Sequence, residues 1–199
     1  EEDKVIANLA EEMGVAFYCG SPEDVLDRYY QSARIFNVDT IVRITADCPL
    51  IDPEIVDKIA DYYLTHNYDY VSNTIKPTMP DGFDTEVFSF KSLEKAWIET
   101  KKPSEREHVT LYIYNHPEIF RLYNYEDDVD LSGMRWVVDY EADYNFITEV
   151  YNSLYKDSGI FYMNDVLKLL SERPELRDIN KDIIRNEGLA KSLREDASV

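Results

Sequence analysis

The sequence predicts an α/β fold with a mainly parallel sheet and helices on both faces. Over the first 75 residues, amphipathic helical patterns alternate with short apolar runs, which is typical of right-handed crossover units. The run TIVRITADCPLID opens with β-branched residues and predicts a buried strand. Asp52-Pro53 follows with the N-cap and first-turn residues of a helix. Asp47 therefore lies at the carboxyl end of a strand, where open α/β sheets bind ligands.

The remaining elements follow from apolar spacing and turn residues along the chain. Helical spacing predicts helices over 5–13, 25–33, 55–63, 92–100, 104–114 and 146–154, and a last helix that Asn164 caps. Ser21 is the predicted cap of the second helix, and Ser104 with Glu107 has the spacing of a capping box. Short apolar runs predict strands over 15–18, 68–72, 85–90, 120–125 and 135–138. The polar tail from Asn180 is expected to pack loosely.

Composition limits the function classes. The 199 residues suit a single domain over 1–199, and 40 acidic against 21 basic residues give a formal charge of −19. This charge argues against binding a nucleic acid polymer, and no apolar run is long enough for membrane insertion. Cys19 and Cys48 form no CxxC pair, so we expect reduced thiols in a cytoplasmic protein.

Asp47 and Asp139 share one setting, because each follows an apolar run and precedes a helical pattern. If the two predicted strands are neighbours, both carboxylates meet at one edge of the sheet. Paired carboxylates with open coordination positions suit Mg²⁺ that holds substrate phosphates. The spacing alone leaves open that each is a helix-capping or turn aspartate.

The chain resembles the SpsF-like cytidylyltransferase family, which is related to CMP-sialic acid and CMP-Kdo synthetases. The resemblance begins with GSPEDVLDRYYQSA and RITADCPLIDPEIVD. It continues in the same order through YDYVSN, PDGFDTEVFSFKSLEKAW, REHVTLYIYNHPEIF, RWVVDYEADYNFI and NEGLAKSL. Each motif alone is weakly specific, but the ordered set covers nearly the whole chain.

The resemblance implies a Rossmann-like nucleotide-diphospho-sugar transferase fold, Mg²⁺ as cofactor, CTP and a sugar as substrates, and a homodimer. The implied activity forms a CMP-activated sugar for surface or spore coat polysaccharide biosynthesis. Asp47 and Asp139 would be the catalytic metal ligands. Residues 76–130 would form the inserted sugar-side or dimerisation region.

The resemblance also implies binding residues. The implied nucleotide contacts are Gly20, Ser21, Asp24 and Arg28, and the implied sugar-side residues are Asp81, Gly82, Asp84, Glu86, Arg106, Glu107 and His108. Each has a simpler interpretation that stays open. Arg28 suits a surface ion pair, Glu107 suits a helix cap, and His108 suits packing within a helix.

One departure from the family bears on activity. The family opens with a strand and a loop rich in glycine, arginine and lysine that grips the triphosphate. This chain contains no GxGxxG or GxxxxGK[ST] motif, so we expect an N-terminally incomplete fold from truncation, a split gene or degeneration. Whether the chain is an enzyme stays open, and a non-catalytic scaffold or assembly protein is one alternative. A nucleotidyltransferase acting on another nucleotide or alcohol is the other.

Overall fold

The computed structural model describes residues 3–156 and 159–197. Its helices are α1 (Lys4–Glu12), α2 (Val25–Phe36), α3 (Pro53–Thr65), α4 (Phe90–Glu99), α5 (Pro103–Glu107), α6 (Leu111–Asn115), α7 (Glu141–Leu154), α8 (Met163–Glu172) and α9 (Glu187–Asp196), with a 3₁₀ turn at Pro174–Asp178. Its strands are β1 (Thr40–Arg43), β2 (Tyr70–Ser72), β3 (Glu86–Ser89) and β4 (Leu122–Asn124). Within the described ranges, no helix has both the length and the apolar character needed to cross a bilayer.

The chain divides into two compact units. The first comprises Glu1–Ile41, Ser89–His116 and Gly188–Val199, and the second comprises Val42–Phe88 and Pro117–Glu187. The predicted region 76–130 contributes residues to both units. The sheet lies mostly in the second unit and is described with it.

The first unit is helical, and α2 packs against α4 and α5. Tyr30 of α2 stacks on Phe90 and Trp97 of α4, with ring centroids 5.7 and 4.1 Å apart. Leu26 and Leu93 are fully buried in the same unit. In contrast, α1 buries none of its residues, although its apolar positions follow helical spacing.

The second unit contains a four-stranded mixed sheet in the order β1-β3-β2-β4. β2 pairs antiparallel with β3, placing Val71 opposite Val87, and parallel with β4, placing Val71 opposite Tyr123. The α/β fold class predicted from the sequence is confirmed, although the β2–β3 pair makes the sheet mixed. Strand direction depends on backbone hydrogen bonds between segments far apart in the chain, and apolar spacing does not predict these bonds.

The core of the second unit is formed by side chains from the sheet, its helices and its loops. Its members are all buried: Leu50, Ile55, Ile59, Val71, Met79, Phe83, Val87, Trp136, Phe146, Ile147, Val150, Val166, Leu169, Leu170 and Leu176. Asp52 caps α3 as predicted, since its side chain accepts a 2.9 Å hydrogen bond from the Glu54 amide. It also accepts from the Met163 amide at 2.9 Å, which links the start of α3 to the start of α8.

Two predicted strands do not form as strands. Residues 15–18 have no regular structure, and Val15 and Phe17 are about half exposed. A strand needs a neighbour for its backbone groups, and no strand in the described chain pairs with this segment. Residues 135–138 form only a parallel bridge between Arg135 and Asp81, because this segment contacts loops instead of extending the ladder.

The predicted helix 104–114 is broken in two. Val109 has a φ of +51°, a left-handed conformation that ends the helical path between α5 and α6. The predicted capping box is also wrong. Lys102 is the N-cap, Pro103 opens the first turn, and the Ser104 hydroxyl donates to Asp196.

Three further boundary predictions are wrong. Asp24 caps α2 in place of Ser21, accepting a 2.9 Å hydrogen bond from the Asp27 amide. Tyr162 is the N-cap of α8 in place of Asn164. The tail contains α9, which buries Ser192, so it is not loosely packed throughout. At α8 the helix begins at Met163 because the Asp165 carboxylate accepts a 2.9 Å hydrogen bond from the Tyr162 amide.

Gly82 occupies a backbone position that excludes side chains. Its φ is +103°, and a Cβ there would lie 2.7 Å from the Trp136 carbonyl and 2.9 Å from the Val137 amide nitrogen. The close approach follows from the neighbouring Asp81–Arg135 bridge. The conformation and the contact therefore both require glycine.

We expect Gly82→Ala to lower the free energy of unfolding by about 3 kcal/mol, because it adds backbone strain and a steric clash. Urea unfolding of the full chain measures this. Gly133→Ala is the matched control, since nothing lies within 4 Å of a Cβ at Gly133. Equal stability of the two variants would contradict the structural role of Gly82.

Candidate active site

The two predicted metal ligands are neighbours in the second unit. The Val138 amide donates a 2.9 Å hydrogen bond to the Asp47 carbonyl, so Asp139 follows directly on a residue bonded to Asp47. Burial is the main cause of the raised pKa of the Asp81 carboxyl, and the nearby charges of Asp139 and Asp47 add to it. Asp47 follows β1 in the chain, and Asp139 immediately precedes α7. The structure therefore brings together the two carboxylates that the sequence singled out.

Arg135 is the centre of the acidic cluster. Its guanidinium donates to Asp143 at 2.9 Å through two nitrogens, to Asp81 at 3.0 Å and to Asp139 at 2.7 Å. The side chain is 7% exposed, and that of Asp143 is fully buried. Burial opposes the charge, but hydrogen bonds with Asp143 and Asp139 outweigh it and raise the pKa of Arg135. The guanidinium is thus permanently charged and holds Asp139 in place.

Asp143 and Asn180 form further hydrogen bonds that hold Arg135 and the start of α7 in place. Asp143 also accepts hydrogen bonds from the Asp139 and Tyr140 amides at 3.1 Å, at the start of α7. The Asn180 amide group donates to Asp143 at 2.9 Å and to the Arg135 carbonyl at 3.0 Å. Burial acts to raise the pKa of Asp143, but the bonds from Arg135 and Asn180 prevail and lower it. These contacts keep the Asp143 carboxylate ionised inside the protein.

Arg185 supplies a second cation, from the tail that the sequence assigned to loose packing. Its guanidinium donates to Asp84 at 2.6 Å and to the Met79 carbonyl at 3.4 Å, and it lies 3.4 Å from Asp81. Nearby, Glu187 accepts a 2.6 Å hydrogen bond from the Tyr140 hydroxyl. The segment 180–187 is therefore tied to the acidic cluster by side chains at several points.

Burial shifts the acids that these arginines contact. It raises the pKa of Asp84 to about 6, with a smaller opposing effect from Arg185 and additions from Asp81 and Glu86. The pKa of Asp81 is also raised, chiefly by burial, although Arg185 and Arg135 oppose the shift. Asp84 consequently changes charge near the working pH of many enzymes.

Glu86 has a different environment within the sheet. It is 3% exposed, accepts a 2.6 Å hydrogen bond from the Tyr70 hydroxyl, and pairs with Arg43. Burial and the Glu86 charge together raise the pKa of Tyr70. These contacts give Glu86 a structural function, and its predicted contact with a sugar stays a prediction.

The donor chemistry of Asp47 and Asp139 fits Mg²⁺. Asp139 is exposed, and Arg135 engages only one of its carboxylate oxygens. Among the described residues, no group of three or more acidic, histidine or cysteine side chains forms a dedicated metal cage. Mg²⁺ commonly binds one or two protein carboxylates and takes its other ligands from phosphates and water. A two-carboxylate site therefore suits a metal that arrives with a nucleotide.

Cys48, beside Asp47, does not take part as a thiolate. Its side chain is buried, and burial raises the pKa of its thiol to about 12, against a smaller lowering effect of Thr45. The thiol lies 3.2 Å from the Thr45 hydroxyl and 3.5 Å from an Asp47 oxygen. A neutral, buried thiol is a poor nucleophile and metal ligand, so Cys48 fills space next to the acid.

The predicted nucleotide contacts lie in the first unit. Ser21 accepts hydrogen bonds from the Glu23 and Asp24 amides at 3.2 Å, which shapes the turn before α2. A Cβ at Gly20 would lie 2.7 Å from Cγ of Arg28, so the arginine stem packs on the glycine. No ion-pair or hydrogen-bond partner of the Arg28 guanidinium occurs among the described residues. Arg28 is therefore not the surface ion pair of the simpler interpretation.

Asp24 and Arg106, predicted to bind nucleotide and sugar respectively, bind each other. The Arg106 guanidinium contacts both carboxylate oxygens of Asp24, at 2.5–3.0 Å, and donates to the Trp97 carbonyl at 3.0 Å. Asp24 also caps α2. This pair joins α5 to the start of α2, and ligand contacts by either residue stay predictions.

Glu107 and His108 contact α9 within the first unit. The Ser192 hydroxyl donates to Glu107 at 2.8 Å and lies 3.1 Å from Nε2 of His108. The Ser192 hydroxyl also has the Gly188 carbonyl as an acceptor at 3.1 Å, and the carboxylate of Glu107 contacts the serine instead of the far ring nitrogen of His108. The arrangement therefore lacks the geometry of a nucleophilic triad.

Sequence reasoning missed Arg135, Asp143, Asn180 and Arg185. Arg135 and Asp143 both lie within the family motif RWVVDYEADYNFI, on either side of the start of α7. Their presence in one motif is a partial signal that they belong to the site. No local signal marks Asn180 or Arg185, because both belong to a polar segment without apolar periodicity. Their contacts depend on long-range chain folding.

Comparison with known proteins agrees with this architecture. The family model described as cytidylyltransferase matches residues 2–179. A solved cytidylyltransferase structure from Leptospira borgpetersenii serovar Hardjo-bovis superposes with a TM-score of 0.84 and 30% sequence identity, covering 92% of this chain and 76% of that one.

Two relatives by sequence are also similar. An uncharacterised protein of Methanocaldococcus jannaschii is 36% identical over 187 residues, or 92% of this chain and 74% of that protein. The spore coat polysaccharide biosynthesis protein SpsF of Bacillus subtilis is 28% identical over 178 residues, or 88% of this chain and 72% of that protein. The chain belongs to the cytidylyltransferase family, so the resemblance identified from its motifs is confirmed.

We expect Arg135→Met to lower the free energy of unfolding by about 3–5 kcal/mol, because it leaves buried Asp143 without its cation. Chemical denaturation measures the change. Arg121→Met is the control, since Arg121 forms an exposed pair with Asp69 at 3.2 Å and should cost less than about 1 kcal/mol. Similar losses in both variants would show that Arg135 has no special structural function.

The raised pKa of Asp84 predicts a pH effect on stability. Between the unfolded pKa near 4 and the folded pKa of about 6, the folded state binds more protons than the unfolded state. Stability should therefore fall by about 3 kcal/mol as pH rises through this window, and Asp84→Asn should remove that component. Urea unfolding of both proteins across the window measures the difference. Parallel pH profiles would contradict the shift.

Proposed function

We propose that this chain is a CTP-dependent sugar nucleotidyltransferase that works with Mg²⁺. The observation that carries the proposal is the proximity of Asp47 and Asp139, which the Val138–Asp47 hydrogen bond establishes in a cytidylyltransferase family member. Carboxylates carried by two hydrogen-bonded backbone segments are the kind of protein ligands that a metal–triphosphate complex uses. The fixed position of Asp139 on Arg135 supports the same proposal, since a preorganised ligand binds without reordering.

In the proposed reaction, a sugar oxygen attacks the α-phosphorus of CTP, the bond to the bridging oxygen breaks, and pyrophosphate leaves. Bound Mg²⁺ would neutralise phosphate charge and stabilise the charge that develops during transfer. Asp47 and Asp139 would hold the ion, and Arg135 would keep Asp139 oriented. The acidic surroundings of Asp81 and Asp84 would disfavour a triphosphate without its metal, so nucleotide binding should depend on the divalent cation.

Several finer predictions belong to the same proposal. The product would be a CMP-activated sugar for surface polysaccharide, and a spore coat role is drawn from the name of the Bacillus relative. Self-association is supported by α1 and its C-cap, because the Val5, Ile6, Leu9 and Met13 side chains are all more than half exposed. A cytoplasmic location fits the supply of CTP and the free thiols of Cys19 and Cys48.

We expect Asp47→Asn and Asp139→Asn each to weaken binding of CTP in the presence of Mg²⁺ by at least about tenfold, because each removes a metal-ligating charge. Isothermal titration calorimetry of the full chain measures the affinity, and pyrophosphate release with a panel of sugars measures turnover. Asp57→Asn is the control, since Asp57 is an exposed acid on α3. Thermal unfolding of each variant separates lost binding from lost folding.

Three results would overturn the proposal. The first is an absence of CTP binding by the folded wild type with Mg²⁺, which would favour a scaffold or assembly function. The second is a preference for UTP or GTP, which would favour a nucleotidyltransferase of another specificity. The third is unchanged affinity in both aspartate variants, which would place the metal elsewhere.

A further inference from the structure

A cavity in the second unit lies next to the acidic cluster and has no part in the proposed reaction. Its volume is about 360 Å³, which is in the range of small-molecule sites. Met134, Trp136, Phe146 and Leu170 supply apolar walls, and the polar lining includes Asn180 and Arg177. Trp136, Phe146 and Leu170 are each 1% exposed, so the cavity reaches the core.

Asn180 provides an unused hydrogen-bond acceptor in this lining. The residue is 5% exposed, and its amide nitrogen is occupied by the Arg135 carbonyl and Asp143. Its carboxamide oxygen accepts no hydrogen bond from any residue in the described part of the chain. The Asn180 oxygen is not one of the fully buried side-chain atoms that lack a partner in the described chain, so it faces open space, where a donor on a bound molecule can reach it.

The charged residues of the lining leave one cation and one anion available. Lys181 and Asp178 pair with each other at 2.8 Å. The Arg177 guanidinium has no acidic partner within residues 3–156 and 159–197. Asp130 accepts hydrogen bonds from the Ser132 amide and hydroxyl, at 3.0 and 2.6 Å. It forms no ion pair with any residue in the described part of the chain. The lining thus combines a free positive group, a carboxylate and a neutral acceptor.

We propose that this cavity binds a small zwitterion with an apolar body, the chemical class that includes the aromatic amino acids. The carboxylate of the ligand pairs with Arg177. Its ammonium donates to the Asn180 oxygen and is attracted by Asp130, and its apolar body packs on Trp136 and Leu170. A simple anion would use only Arg177, which is exposed, and a simple cation would use only Asp130 and the Asn180 oxygen, whereas a zwitterion uses all three.

Tryptophan fluorescence provides a readout that is independent of enzyme activity. The chain has two tryptophans, and only Trp136 lines the cavity. In a Trp97→Phe background, titration with L-phenylalanine should change the emission of Trp136, and calorimetry should report the same affinity. 3-Phenylpropanoate and phenethylamine, which each lack one of the two charges, should bind at least about tenfold more weakly.

Two variants locate the site. Arg177→Ala should weaken L-phenylalanine binding about tenfold, whereas Lys168→Ala removes an exposed cation outside the cavity and should leave it unchanged. Leu170→Phe fills part of the cavity and should abolish binding, and thermal unfolding verifies that each variant folds. The proposal is overturned if the wild type binds no L-phenylalanine in the millimolar range. It is also overturned if the three probes bind equally or if the Arg177 and Lys168 variants behave alike.

Discussion

The buried guanidinium of Arg135 is the interaction on which the second unit depends. A charge removed from water must be fully paired, and Arg135 meets this requirement with Asp81, Asp139 and Asp143. These partners come from two segments, Asp81 from the loop before β3 and the other two from the start of α7, so pairing the guanidinium also fixes this loop against the helix. The close passage of that loop leaves no room for a side chain at Gly82. The same buried charge is thereby linked both to a backbone requirement and to the placement of Asp139, the carboxylate proposed to bind the metal.

The charges of this cluster affect both the stability of the fold and the ligands that the cluster can bind. Arg135 and Arg185 balance part of the charge of Asp81, Asp84, Asp139 and the more deeply buried Asp143. The remaining negative charge attracts a divalent cation and opposes an unaccompanied phosphate. This charge balance agrees with the proposal that the nucleotide binds as a complex with its metal ion. The arginines thus stabilise the cluster, and the carboxylate oxygens that they leave open are the ones proposed to hold the metal.

The first unit shows how polar residues in family motifs can have structural functions. Asp24 caps α2 and simultaneously binds Arg106, and Glu107 with His108 contacts Ser192 of α9. Each pairing joins different elements of the first unit by side-chain hydrogen bonds. Arg28 differs, because its stem packs on Gly20 while its charge stays available. The local contacts therefore separate Arg28 from the other predicted binding residues of this unit.

Local sequence determined the features that depend on neighbouring residues. The apolar spacing of α2, α3 and α7, the Asp52 cap and the α/β class all followed from short-range patterns, and the ordered motifs led to the family. The sequence also singled out Asp47 and Asp139, since both end apolar runs. Only tertiary structure decided the antiparallel β2–β3 pair, the break at Val109 and the partners of Arg135, Asn180 and Arg185. These depend on hydrogen bonds and charges between segments far apart in the chain, which no local periodicity encodes.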